Sequence, residues 1–201
     1  MKGLYAIIDP DHCAGRDPLW VAEQVLAGGC AALQLRAKSS KDREQLQLAR
    51  ALVQRCRAQG VPFWINDRLD LGLLVEADGV HLGQDDVPIA EARRIFRGLL
   101  GTSTHSLAQA RAAVEEGADV IGFGPVFTTR SKQNPDPVVG VRGLAEVCMA
   151  VQVPVIAIGG IDRSHARDIK ISGASYAAAI GALCLAEDPR AAAKSLHDAL
   201  V

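Results

Sequence analysis

The chain is 201 residues long, 49% of them hydrophobic and 22% charged, with a net charge of −1 at pH 7. That length suits one domain with a sizeable core, and the balanced charge, with no basic block, leaves no footprint for nucleic acid or an anionic membrane surface. No apolar run approaches the roughly 20 residues of a membrane helix, and the N-terminal "MKGLYAIIDPDH" turns acidic too early for a signal-peptide core.

In chain order, the first strand is predicted at 4–8 (LYAII). An amphipathic helix follows in "DPLWVAEQVLAGG", closed by glycine. Further strands are expected at 31–35 (AALQL) and 62–66 (PFWIN), separated by the helical "DREQLQLARALVQRCRAQG". Segment 69–78 has room for only a turn or two of helix before the strand at 79–82 (GVHL). The last four strands are predicted at 99–103, 119–124, 154–159 and 175–180. One join recurs: "AGGCAALQL", "EADGVHLG", "EEGADVIGFG" and "SGASYAAAI" each carry a helix end, a turn and a strand. Eight repeated strand–helix units in 201 residues match a small single-domain (β/α)8 TIM barrel over 1–201. A doubly wound open sheet is the alternative, but "AIIDPDHCAG" lacks the glycine fingerprint such sheets usually carry after their first strand. Five cysteines (Cys13, Cys30, Cys56, Cys148, Cys184), without a Cys-x-x-Cys, read as reduced thiols of a cytoplasmic protein.

Chemistry in this barrel belongs to the C-terminal ends of the strands. After the second strand, alternation sends Gln34, Arg36 and Lys38 to one side, a set suited to a phosphate or diphosphate. The third strand ends in Asn66-Asp67-Arg68 and the fourth leads to Gln84-Asp85-Asp86. Asp67 with either Asp85 or Asp86 could bridge one Mg2+ to phosphates; the plainer alternative has Asp67 pairing with Arg68 or capping the next helix. His81 reads as a core histidine satisfied by a neighbour. Ser103 and His105 close the fifth strand, and Thr129, Arg130, Ser131 and Lys132 crowd the long loop after the sixth. Gly159, Gly160 and Gly181 end the seventh and eighth strands, where backbone N–H groups commonly meet phosphate. The mouth therefore holds two anion sites, one with a metal and one without.

Six segments, "LQLRAK", "NDRLDLG", "GVHLGQDD", "GTSTHS", "GFGPVFTTRSK" and "PVIAIGGI", together resemble the thiamine phosphate synthase family in order and spacing, from residue 4 to about 183. The resemblance implies a (β/α)8 barrel that joins hydroxymethylpyrimidine diphosphate to thiazole phosphate with Mg2+, by a dissociative route that releases pyrophosphate. It implies a diphosphate grip from Gln34, Arg36, Lys38 and Asn66, and metal ligands in Asp67 and Asp86. Ser103 would lie near the pyrimidine and Lys132 on the leaving diphosphate. Thr129, Ser131, Gly160, Ile180 and Gly181 would face the thiazole phosphate. Partners would be these small molecules, with a homo-oligomer left open. The chain departs where Gly181 replaces a serine of the family and where the loop reads "TTRSK". A thiazole tautomerase on the same barrel is one rival, but it would place a histidine where Pro125 stands. A non-catalytic barrel that keeps the pocket is another.

Overall fold

The structure, a computed structural model, describes residues 3–129 and 136–201. Eight parallel strands close into a barrel in chain order. They are β1 (Gly3–Ile8), β2 (Ala32–Leu35), β3 (Phe63–Asn66), β4 (Gly79–Leu82), β5 (Leu99–Thr104), β6 (Val120–Phe123), β7 (Val155–Ala157) and β8 (Tyr176–Ala179). Each lies on a predicted apolar run, with its ends shifted by no more than two residues. Pairing of β8 with β1 excludes the open sheet. The helices are α1 (Pro18–Gly28), α2 (Asp42–Gln59), α3 (Leu69–Val75), α4 (Ile89–Ile95), α5 (Leu107–Glu115), α6 (Gly140–Ala150), α7 (Ala166–Ser172), the single turn α8 (Gly181–Cys184) and α9 (Pro189–Leu200). Short 3-10 turns at Pro10–His12 and Arg163–His165 lie in the loops after β1 and β7.

The strands read as apolar runs because both of their faces are buried. In β1, Leu4, Ala6 and Ile8 pack outward with the helices, whereas Tyr5 packs inward with Ala32, Trp64, Val120, Ile156 and Ala178. Tyr5 meets Trp64 and Tyr176 edge-on, with ring centroids 5.9 and 6.4 Å apart. Large inward side chains sit beside glycines on the neighbouring strand. Trp64 is in register with Gly79, and His81 with Gly101. A Cβ on Gly122 would lie 2.9 Å from the His81 ring, so this level of the barrel is full.

The recurring join has a definite task at the opposite end. Asp78, just before β4, accepts a hydrogen bond from the Phe63 N–H at 2.8 Å; Asp119, just before β6, accepts one from Leu100 N–H at 2.8 Å. Each carboxylate satisfies a backbone donor at the start of the preceding strand, where ladder partners run out. α1 and α9 both begin with proline behind a capping aspartate, Asp17 and Asp188. All five cysteines are free thiols, and burial pushes Cys30 and Cys56 up to about 12, which keeps both protonated at neutral pH. Among the described residues no helix is long and apolar enough to cross a membrane.

The packing separates two kinds of glycine. A methyl group at Gly79 would collide with the Trp64 indole, so Gly79→Ala should lower stability by about 1–3 kcal/mol. Gly143 lies inside α6 with no atom closer than 3.6 Å to an added Cβ. Gly143→Ala should therefore raise stability by roughly 0.5–1 kcal/mol. Urea unfolding of both variants checks the pair.

Candidate active site

A cavity of about 390 Å³ opens at the C-terminal ends of the strands. Tyr5, Ile7, Ile156 and Ala178 form its apolar floor, and polar side chains ring the opening. On the β2–β3 side, the Tyr5 hydroxyl donates to Gln34 Oε1 at 2.8 Å, and Gln34 Nε2 donates to Asn66 Oδ1 at 2.8 Å. Gln34, Arg36 and Asn66 all line the cavity, as alternation from β2 and β3 predicts. Lys38 lies past the end of β2, where the pleat no longer directs it. Its side chain is 53% exposed, and its Nζ sits 2.8 Å from Asp67 Oδ2.

Asp67 adopts a left-handed backbone conformation, φ 63°, which only a minority of non-glycine residues do. Its N–H donates to the His81 carbonyl at 2.8 Å, which ties the turn after β3 to β4. Arg68 is no partner for Asp67: its guanidinium bonds Asp70 at 2.8 and 2.7 Å and Asp42 at 2.7 Å, out on the surface. Nor does Asp67 cap α3, whose N-cap residue is Arg68. The plainer alternatives for Asp67 therefore fall away. Asp86 accepts from the Gly83 N–H at 2.6 Å, while Asp85 is exposed. Burial raises the Asp86 carboxyl above its ordinary value, and adjacency to Asp67 pushes it the same way. Asp67 and Asp86 together offer two carboxylates that could hold a hard cation. A pair, rather than a full cage, leaves most of the coordination sphere to water and phosphate oxygens, as Mg2+ prefers.

His81 is buried, and its Nε2 lies 3.0 Å from Ser103 Oγ, which fixes the serine at the cavity wall. His105 also lines the cavity; its Nδ1 is 2.5 Å from the Gly124 carbonyl and its Nε2 3.3 Å from Asp136 Oδ2. Thr128, Thr129 and Pro125 continue the wall, so a proline occupies the position where a tautomerase would need histidine. Arg130, Ser131 and Lys132 lie outside the described residues.

On the far side, Gly159 and Gly160 have φ of 91° and 65°. A side chain at Gly160 would strike the Thr128 carbonyl, so the turns after β6 and β7 can close on each other only through glycine. Phe127 stacks on His165 with ring centroids 3.7 Å apart and locks the same two turns together. Ile180 and Gly181 line the cavity, and a Cβ on Gly181 would find nothing nearer than Leu185 Cδ1 at 3.7 Å. The missing serine thus leaves open space.

Sequence reading missed several residues of this mouth. Asp9 at the end of β1 is fully buried, and His12 in the turn that follows lines the cavity, as do Asp162 and Leu185. The strand-end rule that found Asp67 also applies to Asp9, in "AIIDPDH". His12, Asp162 and Leu185 lie several residues past a strand, where alternation carries no information.

The profile of the family described as Thiamine monophosphate synthase matches residues 4–183. A thiamine-phosphate synthase of Chlorobium luteolum is 44% identical over 195 residues, covering 96% of this chain and 90% of its own. Another, from Chloroflexus aurantiacus, is 41% identical over 195 residues with the same coverage, 96% and 90%. Among solved structures, a thiamine phosphate pyrophosphorylase from Pyrococcus furiosus has a TM-score of 0.90 at 35% identity, covering 98% of this chain and 94% of that one. With that fold, that cavity and this likeness over nearly its whole length, the chain belongs to the thiamine monophosphate synthase family.

Proposed function

We propose that the protein is a thiamine phosphate synthase, joining hydroxymethylpyrimidine diphosphate to thiazole phosphate and releasing pyrophosphate. The observation that carries this reading is a single cavity with two chemically different ends. Gln34, Arg36 and Asn66 line one end, next to the Asp67–Asp86 pair; Gly159, Gly160 and Gly181 line the other. A diphosphate suits the first and a monophosphate the second, with isoleucine walls between them for two flat rings.

In this reaction the bond from the pyrimidine methylene carbon to the diphosphate oxygen breaks. The thiazole nitrogen then bonds that carbon, and the electron pair departs with pyrophosphate. The barrier is charge developing on the leaving group, so the protein's task is electrostatic and needs no nucleophile. We assign Arg36, Lys38 and Lys132 to that charge, and Gln34 and Asn66 to orienting the diphosphate end. Ser103, held by His81, is assigned to the pyrimidine. Thr129, Ser131, Gly160, Ile180 and Gly181 are assigned to the thiazole phosphate. Asp67 and Asp86 would hold Mg2+, whose contribution when bound is further neutralisation of the diphosphate. Holding both substrates in one mouth adds the positioning contribution. We read the whole chain as one domain that acts on these small molecules in the cytoplasm.

Thiamine phosphate should form from the two substrates with Mg2+ and cease with EDTA; folded protein that makes none in either condition would refute the reading. Asp86→Ala should abolish most of the metal-dependent rate while circular dichroism stays unchanged. Asp86→Asn tests the electrostatics. Because the folded-state value of Asp86 is raised, its ionised form subtracts stability at neutral pH, and that penalty fades as pH falls through the raised value. Without metal, Asp86→Asn should therefore melt at or above wild type at pH 7, and it should lose the upward melting shift that Mg2+ gives wild type. Gly181→Ser should lower the KM for thiazole phosphate by roughly tenfold, through one regained hydrogen bond to a charged group. An unchanged KM would place the phosphate elsewhere.

A further inference from the structure

Behind the cavity wall lies a carboxylate that no step above uses. Asp9 directly follows β1 with no exposed surface at all, and it does not itself line the cavity. A buried charge needs partners. Asp9 has two hydrogen-bond partners: Oδ1 accepts from the Asp11 N–H at 3.1 Å and Oδ2 accepts from Arg36 Nη1, while His12 Nδ1 lies 3.1 Å from Oδ2 without a hydrogen bond. The first bond caps the 3-10 turn Pro10–His12, an ordinary structural role. The Arg36 bond concerns the site, because Arg36 lines the cavity. The Arg36 side chain is only 14% exposed, and the His12 Nδ1 is closed off from solvent. Asp9 thus holds Arg36 through Nη1, and Arg36 lines the cavity.

We propose that Asp9 is a positioning residue for the diphosphate end of the cavity, acting through Arg36. An arginine fork carries five donors, and Nη1 alone is committed to Asp9, so the rest of the guanidinium stays available to an anion. Arginine is otherwise a long side chain with many rotamers, and a carboxylate fixed directly after a barrel strand removes that freedom before the substrate arrives. The bond is charge-assisted, which makes it stronger and more directional than a neutral one. This role rests on the reading of Arg36 as a diphosphate ligand.

The test is a double-mutant cycle on the full chain, with KM measured separately for each substrate. Arg36→Ala alone should raise the KM for the pyrimidine diphosphate. Asp9→Asn keeps the shape of the side chain and its cap but removes the charge. It should raise the same KM by roughly tenfold while the KM for thiazole phosphate is unchanged. In the Arg36→Ala background, Asp9→Asn should add nothing, since its target is gone. Should Asp9→Asn fold poorly, Asp9→Ser keeps an oxygen for the Asp11 N–H without reaching Arg36, and the same results are expected. Effects that multiply, an unchanged diphosphate KM in Asp9→Asn, or equal rises for both substrates would overturn the role of Asp9 alone. No effect of Arg36→Ala on either KM would overturn the assignment of Arg36 and, with it, the role of Asp9.

Discussion

Closure of eight parallel strands on themselves is the constraint from which the rest follows. Once β8 pairs with β1, no edge is left, and every strand buries one face against helices and the other against seven neighbours. The interior is narrow, so inward side chains must share it. Trp64 fills the space that Gly79 vacates, and His81 the space left by Gly101 and Gly122. Below the mouth the barrel is solid. The open cavity is confined to its C-terminal end, where the strands stop and the inward positions turn polar.

The mouth owes its chemistry to how that closed sheet spaces strand ends. Gln34 and Asn66 come from adjacent strands and bond each other; Ser103 is fixed by His81 from the strand before it. Charges are placed in the same way. Asp67 reaches Asp86 and Lys38 only because the chain after β3 takes a left-handed turn. Asp9 reaches Arg36 because β1 and β2 pair in register, with Ile8 opposite Leu35, so that their ends coincide. Across the opening the construction is different: glycines at 159 and 160 let two turns touch, and Asp162 beyond them also lines the cavity.

The barrel was legible in the sequence because two local signals, apolar runs and glycine-closed helical segments, recur with one order and spacing. The inward set at Gln34, Arg36 and Asn66 was equally legible, since alternation holds within β2 and β3 and for one residue past β2, where the Arg36 N–H still donates to the Ile8 carbonyl. Beyond β2 the pleat no longer directs Lys38, whose Nζ sits beside Asp67. The choice between Asp85 and Asp86 was open on the residues alone, because both sit in a turn; Asp86 bonds back to Gly83 while its neighbour points to solvent. Asp9 went unnoticed because an acidic residue before proline reads as a turn former, and nothing local says that its partner lies 27 residues away in Arg36.

By itself, then, the sequence determined the architecture, the strand ends that carry polar groups and the family. These depend on patterns that repeat within a few residues or on motifs in a shared order. Only the tertiary structure decided which charges meet. Asp67 with Asp86, Asp9 with both Arg36 and His12, and His105 with Asp136 are pairings set by turns and by closure of the sheet. Coulomb and hydrogen-bond energies fall off within a few ångströms, so they respond to positions that no local pattern encodes.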